Sequence, residues 1–311
     1  MRDGKTVAVV IPAYNVGAYI SGVIAGLPAL VDRIYVVNDA SHDDTAAVLQ
    51  GISDPRLSVI THERNRGVGG ATVSGFKAAL ADLVDVIVKM DGDGQMDPAH
   101  LTRLIDPVLR GEFDYAKGNR FLDDDALASM PRVRLFGNLV LTFLTKLASG
   151  YWHIFDPQNG YLAADRTVLA RVELDHLARR YFFENDMLVH LNIARARVTD
   201  VAMPARYGDE MSSMRLGSIL LSFPPRLIRR FWYRVYQRHV LRDFSVVAIF
   251  WIVGALLLAW GVVFGLVVWT ISIRSGQPAT TGTVMLSALP LILGFQLLLQ
   301  AILIEIGESR G

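Results

Sequence analysis

Cysteine is absent from the 311 residues. Neither disulfides nor thiolate metal centres are available, so any metal must be held by oxygen or imidazole. Net charge is nearly absent as well: 31 Lys and Arg stand against 30 Asp and Glu. That balance argues against a globally basic nucleic-acid binder, and no nucleic acid is expected among the partners. The opening residues Met1 to Lys5 lack the apolar run of a secretory leader, so the first 240 or so residues are expected to stay where they are made. Charge is also missing from two long stretches, Ser245 to Ser272 and Thr280 to Ile304. Each exceeds the roughly 20 residues needed to cross a hydrocarbon core, which predicts a transmembrane hairpin with spans at about 245–272 and 283–306.

What is present before the first span sets the expected orientation. Arg206, Arg215, Arg226, Arg229, Arg230, Arg234, Arg238 and Arg242 crowd one side, whereas the loop Arg274 to Gly282 holds a single basic residue. Positive-inside bias then places the large N-terminal part in the cytoplasm and the short loop outside. Between Met214 and Arg242 the arginines alternate with Leu216, Ile219, Phe223, Leu227, Phe231, Trp232 and Tyr236. This mixture predicts amphipathic helices lying in the membrane interface, in competition with a core helix carrying a solvated basic face. Pro224-Pro225 should break the stretch in two. Gly254, Gly261 and Gly265 permit close helix contact, which would also allow homo-oligomers. The expected division is a cytoplasmic domain over 1–213, interfacial helices over 214–243 and the hairpin over 244–311.

The N-terminal part alternates strands and helices. Val7 to Ile11, Arg33 to Asn38, Leu57 to Thr61 and Val84 to Met90 read as strands. Helical patterns over Gly17 to Leu30, Asp43 to Gln50 and Ala71 to Leu80 separate them. This spacing predicts an α/β fold with a mostly parallel sheet covered on both faces. Ligands of such sheets bind beyond the carboxyl ends of the strands. Pro12-Ala-Tyr14-Asn15, Asn38-Asp39-Ala-Ser41 and Asp91-Gly-Asp93 all fall at such ends. Ordinary turns use the same residue types, but their joint placement favours a nucleotide site.

Asp91-Gly92-Asp93 carries the most chemistry. A sugar leaving a nucleotide diphosphate deposits negative charge on the departing phosphate, which an oxygen-ligated divalent ion can neutralise. Mg²⁺ or Mn²⁺ held by one or two carboxylates plus substrate phosphates suits this task. A calcium loop beginning at Asp91 fails on the missing glycine at its sixth position and on Thr102 where a bidentate glutamate belongs. Asn65-Arg66-Gly67-Val68-Gly69-Gly70 is rich in glycine but lacks the Gly-Lys-Ser/Thr ending of a P-loop. Its glycines, Gly67 among them, serve either close approach to a bound phosphate or close helix packing.

The ordered set Val10-Ile-Pro-Ala-Tyr-Asn15, Val36-Val-Asn-Asp-Ala-Ser41, Asn65-Arg-Gly-Val-Gly69 and Met90-Asp-Gly-Asp-Gly94 resembles family 2 glycosyltransferases. More narrowly, it resembles the polyprenyl-phosphate (dolichyl-phosphate-type) sugar synthases. Tyr115-Ala-Lys-Gly-Asn-Arg120, Asp156-Pro-Gln-Asn-Gly160 and the terminal spans fit that pattern too. The resemblance implies an inverting, metal-dependent hexosyltransferase with a Rossmann-like GT-A fold. Its donor would be a nucleotide diphosphate-sugar and its acceptor polyprenyl phosphate, in a bacterial inner (cytoplasmic) membrane. Pro12, Tyr14 and Asp39 would then contact the nucleoside, Asp91 and Asp93 the diphosphate and metal, and Asn15 would join them in binding substrate. Arg120, Arg132 and Arg134 would lie near the lipid phosphate or the diphosphate, where a guanidinium fork matches phosphate oxygens, while Arg132 and Arg134 equally suit a solvated helix face. Two departures stand out. Asn38 occupies a position that is usually Asp, and Arg206 to Ser213 lacks the lysine of a Gly-x-Ser-Lys stretch. Arg206 or Arg215 could replace its charge.

Glu184-Asn185-Asp186 leaves an alternative open. A transferase acting on a hydroxyl, such as that of a lipid-linked or cell-surface glycan, needs a general base, and Glu184 or Asp186 would fill that role. A phosphate acceptor is already anionic and needs none. Equally, the two acids would orient arginines or cap a following helix, predicted over Met187 to Ala194.

Overall fold

A computed structural model of the chain describes residues 4–120, 132–203 and 216–308. The chain forms two compact units, Met1–Phe231 and Trp232–Gly311.

The first unit is built on a sheet whose strands are β1 (Val7–Ala13), β2 (Arg33–Asn38), β3 (Leu57–Thr61), β4 (Val86–Lys89), β5 (Tyr115–Asn119), β6 (Leu162–Asp165) and β7 (Val198–Ala202). Their order is β3-β2-β1-β4-β6-β5-β7. The first four run parallel. Strand β6 is antiparallel to both of its neighbours, β4 and β5, and β5 pairs with β7 in parallel. The helices are α1 (Gly17–Ala25), α2 (Thr45–Gly51), α3 (Val68–Ala81), α4 (Leu101–Leu109), α5 (Arg132–Ser149), α6 (Arg166–Arg171) and α7 (Phe183–Ile193). The expected α/β fold with a mostly parallel sheet is therefore present.

Every residue of β1 is buried, as a strand covered on both faces requires. Alternate side chains separate into two cores. Val7, Val9 and Ile11 join Ile20 and Ile24 of α1 with Leu104 and Ile105 of α4. Ala8 and Val10 face Phe76 of α3, Leu169 of α6, and Phe183 and Met187 of α7. Of the helix ends that differ from expectation, two have a clear physical cause. Helix α1 stops at Ala25 rather than Leu30, because Pro28 disfavours helical backbone at the residue before it. Helix α7 starts at Phe183, so Glu184 and Asp186 sit inside its first turn, where the helix dipole favours carboxylates.

Helix α8 (Leu216–Arg234) runs unbroken through Pro224 and Pro225, against the expected break. Packing on both sides holds the helical path despite two lost N–H donors. Phe223 is buried before the prolines and Leu227 and Phe231 after them, and the Phe223 ring meets Phe182 edge-on at 5.2 Å.

The second unit begins with the last residues of α8, followed by a π-helical stretch, Val235–Leu241. It continues as α9 (Val246–Ser275) and α10 (Thr281–Glu308), both long and apolar enough to cross a membrane, with mean hydropathies of 2.6 and 2.0. Gly276, at φ 66°, ends α9 in the left-handed conformation that glycine adopts cheaply. The two helices meet through small residues. A Cβ on Gly254 would stand 3.1 Å from Gly294 O, and Ser287 Oγ donates to Gly261 O at 2.8 Å. The glycines expected to permit helix contact are thus engaged within one chain. Near the end of α10, buried Glu305 receives both arms of Arg234 at 3.0 and 3.1 Å and the Trp251 indole N–H at 3.3 Å. His239 Nε2 lies 3.5 Å away, and Arg238 pairs with Glu308 at 3.0 Å.

Candidate active site

Because β2, β1 and β4 are neighbours in the sheet, their carboxyl ends bring the three polar clusters to one edge. The first two clusters are tied together by short-range bonds. Asn15 adopts a left-handed backbone at φ 55°. Its N–H donates to Ser41 Oγ at 3.0 Å, and its Oδ1 accepts from His42 N at 2.9 Å. Tyr14 stands 45% exposed with its ring edge-on to His42, open for stacking. Pro12 is buried within β1 opposite Val37. Asn38, buried, accepts from Ser41 N at 3.0 Å and so shapes the same turn.

Asp39 does more than was legible in the sequence. Its Oδ1 accepts from Arg66 N at 2.8 Å and its Oδ2 from Gly67 N at 2.7 Å. His62 Nδ1 approaches Oδ1 at 2.6 Å, and His62 Nε2 reaches Ser74 Oγ at 2.9 Å. The expected nucleoside contact of Asp39 thus shares the carboxylate with a clasp on the glycine-rich loop. Gly67 has φ 81°, and a Cβ there would stand 2.5 Å from Arg179 O. A Cβ on Gly69 would stand 2.2 Å from Ala178 O. Of the two readings of these glycines, close packing is the one the geometry displays: they let the start of α3 rest on the backbone of Ala178 and Arg179.

Asp91 and Asp93 follow β4 directly. Asp93 Oδ1 accepts from Gln95 N at 3.0 Å across a turn in which Gly94 has φ 76°. Among the described residues no group of three or more His, Asp or Glu side chains converges as a metal cage. Two hard oxygen donors at a strand end nevertheless suit a Mg²⁺ or Mn²⁺ that takes its remaining ligands from phosphates and water.

Two buried lysines lie beneath this edge, and both escape the sequence reading. Lys89 has no exposed surface; its Nζ sits 2.8 Å from Asp91 Oδ1 and 3.1 Å from Glu184 Oε1. Burial disfavours its ammonium, but the two carboxylates outweigh that and hold its pKa above the usual lysine range. Lys117 on β5 is equally buried and donates to Asn159 O. Here burial prevails over the attraction of Asp156, Glu184 and Asp200, pulling the pKa down to about 8. For Lys89 the available signal was a lysine following Val86-Ile87-Val88 in an otherwise apolar strand, since a charge in such a place needs a partner.

Arg120, at the end of β5, forms a fork with buried Asp156: Nε to Oδ2 at 2.8 Å and Nη2 to Oδ1 at 3.1 Å. Its side chain remains 44% exposed, so the carboxylate orients a guanidinium on a partly exposed side chain. Arg132 and Arg134 fall in the first turn of α5. Arg206 lies outside the described residues.

Glu184 and Asp186 part company. Glu184 turns to Lys89, as above. Asp186 has no exposed surface and is grasped by Arg230, with Nε 2.7 Å from Oδ1 and Nη2 2.7 Å from Oδ2. Ala178 N also donates to Oδ2 at 2.8 Å. Burial raises the Asp186 pKa against the pull of Arg230. His190, 3.9 Å from Asp186, is pushed down to about 4 by burial, with Arg230 adding to the effect. An acid orienting an arginine, one of the expected roles, describes Asp186.

Residues 8–172 match the family model described as glycosyl transferase family 2. The chain is 29% identical over 234 residues to the UDP-N-acetylglucosamine–dolichyl-phosphate N-acetylglucosaminyltransferase of Methanococcus voltae, covering 70% of this chain and 92% of that one. It is 30% identical over 200 residues to the polyprenol monophosphomannose synthase of Mycolicibacterium smegmatis, covering 60% and 72% respectively. Among solved structures, glucosyl-3-phosphoglycerate synthase from Mycobacterium tuberculosis, in complex with Mn²⁺, UDP and phosphoglyceric acid, superposes with a TM-score of 0.57 at 22% identity. That match covers 73% of this chain and 79% of the other, and the shared fold is the GT-A type expected from the sequence.

Proposed function

The chain belongs to glycosyl transferase family 2, and we propose that it moves one sugar from a nucleotide diphosphate-sugar to polyprenyl phosphate, with inversion at the anomeric carbon. In a bacterial inner membrane that acceptor is undecaprenyl phosphate. The observation that carries this reading is the acceptor in the names of both relatives, dolichyl phosphate in one and a polyprenol monophosphate in the other.

An oxygen of the acceptor phosphate forms the new bond to the anomeric carbon. The bond from that carbon to the diphosphate breaks, and the nucleoside diphosphate departs with the electron pair. Since the acceptor is already an anion, no residue has to remove a proton. The engagement of both Asp186 oxygens by Arg230 and Ala178 N agrees with that. Arg120, oriented by Asp156 on a partly exposed side chain, is available to a phosphate. Asp91 and Asp93 would hold Mg²⁺ or Mn²⁺, which when bound neutralises charge developing on the diphosphate. Tyr14 and Asn15 border the nucleoside side of the edge. The division proposed is a cytoplasmic catalytic domain over 1–213, interfacial helices over 214–243 and a two-span anchor over 244–311. It is supported by the two apolar helices and by the arginines preceding them.

The test is transfer of radiolabelled sugar from a panel of nucleotide-sugars to purified polyprenyl phosphate, with Mg²⁺ or Mn²⁺ and with chelator. Metal-dependent lipid product identifies the donor and supports the reading. Donor turnover without lipid product across the panel would overturn it in favour of a hydroxyl acceptor such as a lipid-linked glycan.

A further inference from the structure

Three residues from distant parts of the chain meet behind the Asp91 carboxylate. Lys89 ends β4 and is wholly buried, with its Nζ 2.8 Å from Asp91 Oδ1. Glu184, 95 positions later in the first turn of α7, accepts from the same Nζ at 3.1 Å. Gly160 closes the third side. A Cβ there would stand 2.4 Å from Lys89 Nζ and 2.8 Å from Asp91 Oδ2. Any larger residue at 160 would occupy the space in which the ammonium meets the carboxylate.

A buried lysine is costly unless paired, and the rest of β4 is Val86-Ile87-Val88, so an apolar residue would fit the strand pattern. Lys89 does not serve Glu184 alone: it donates to Glu184 Oε1, and its Nζ also lies within ion-pair distance of Asp91 Oδ1. Glu184 has little exposure, at 8%, whereas Asp91 reaches the edge where the other clusters converge. The geometry points to Lys89 as a positioning residue for the donor site: it fixes Asp91 from behind, Glu184 holds the lysine in place, and Gly160 keeps the passage open. Glu184 is then a support for the Asp-x-Asp turn and not a general base. This rests on the nucleotide-sugar chemistry of the family and is independent of which acceptor the enzyme uses.

The test compares Lys89→Met, the double variant Lys89→Met/Glu184→Gln, and Gly160→Ala in the full chain. Three quantities are read: thermal stability, amide hydrogen exchange of residues 90–96 without ligand, and kcat and KM for whichever of UDP-glucose, UDP-N-acetylglucosamine or GDP-mannose the wild type turns over. Lys89→Met loses stability because two carboxylates are left facing each other. The double variant regains that stability, yet keeps faster exchange over 90–96 and a donor kcat/KM lowered by at least about tenfold, as expected for a displaced binding group. Gly160→Ala retains every charge and raises the donor KM. Recovery of kcat/KM together with stability in the double variant would reduce Lys89 to a counter-ion and overturn the proposal. So would wild-type exchange over 90–96 in both the double variant and Gly160→Ala, a result that needs no donor at all. Loss of lipid transfer with intact donor kinetics in the wild type would refute only the acceptor assignment.

Discussion

The two halves of the sheet solve the same problem by different means. On the β3-β2-β1-β4 side, strand ends are shaped by backbone N–H groups closing onto short polar side chains: Asn38 on Ser41, Asn15 on His42, and Asp39 on Arg66 and Gly67. On the β6-β5-β7 side, together with α7, the work falls to buried charged groups: Lys117 among acids, buried Asp156 against a half-exposed Arg120, and Asp186 against Arg230. Lys89 and Asp91 sit where the halves join. A hydrogen-bonded turn tolerates the loss of one partner better than a desolvated ion pair does. Variants should therefore separate the two halves by the size and kind of their effect.

The largest effect is expected at the junction. Asp93→Ala should lower sugar transfer by at least about a hundredfold with little change in thermal stability, because removed charge stabilisation at a leaving phosphate is worth several kcal/mol. A radiometric assay beside a melting curve checks both statements. Next comes the charged half. Asp186→Asn leaves Arg230 beside a neutral group and should destabilise the chain by about 3 kcal/mol, the low end for breaking a buried pair. Turnover per folded molecule should stay near that of the wild type. Full stability with lost turnover would instead make Asp186 a base.

A smaller effect is expected in the hydrogen-bonded half. Asp39→Asn exchanges one acceptor oxygen for an amide and should cost about 1–2 kcal/mol, with faster hydrogen exchange at the Arg66 and Gly67 amides. An effect as large as that of Asp186→Asn would erase the contrast between the halves. The smallest is a pH effect. His190 has its pKa lowered to about 4 from an ordinary 6.5, so between those values the unfolded chain binds a proton that the folded chain does not. Its contribution therefore makes stability fall as pH drops from 6.5 towards 4. His190→Gln should flatten that part of the denaturation-midpoint profile.

This contrast also decides what was legible in advance. The first half is local: each apolar strand ends in its own Asn, Asp or Pro, and the partners of Asn38 and Asn15 lie 3 and 27 residues away. Strands β1 to β4 and the three clusters could thus be read from spacing alone. At the junction Lys89 finds Glu184 across 95 positions, and in the second half Asp186 finds Arg230 across 44. No local pattern encodes such pairs, and lysines are exposed by default. The continuous helix through Pro224 and Pro225 escaped for a related reason, since rings packed on either side override what the prolines dictate locally.

The arginines that precede the apolar helices carry one further implication. Arg230, Arg234 and Arg238 are matched in the folded chain by Asp186, Glu305 and Glu308. Under the proposed topology, before those acids are in place during membrane insertion, the same three side chains are bare cations that retard translocation of the segment. After folding they are neutral pairs that add little to the attraction for an anionic leaflet, worth about 1 kcal/mol for each unpaired basic side chain near the surface. Under the proposed topology, these residues act first as a sorting signal and then as internal fasteners. The mature protein should hold its lipid more weakly by charge, and less sensitively to salt, than its arginine count suggests.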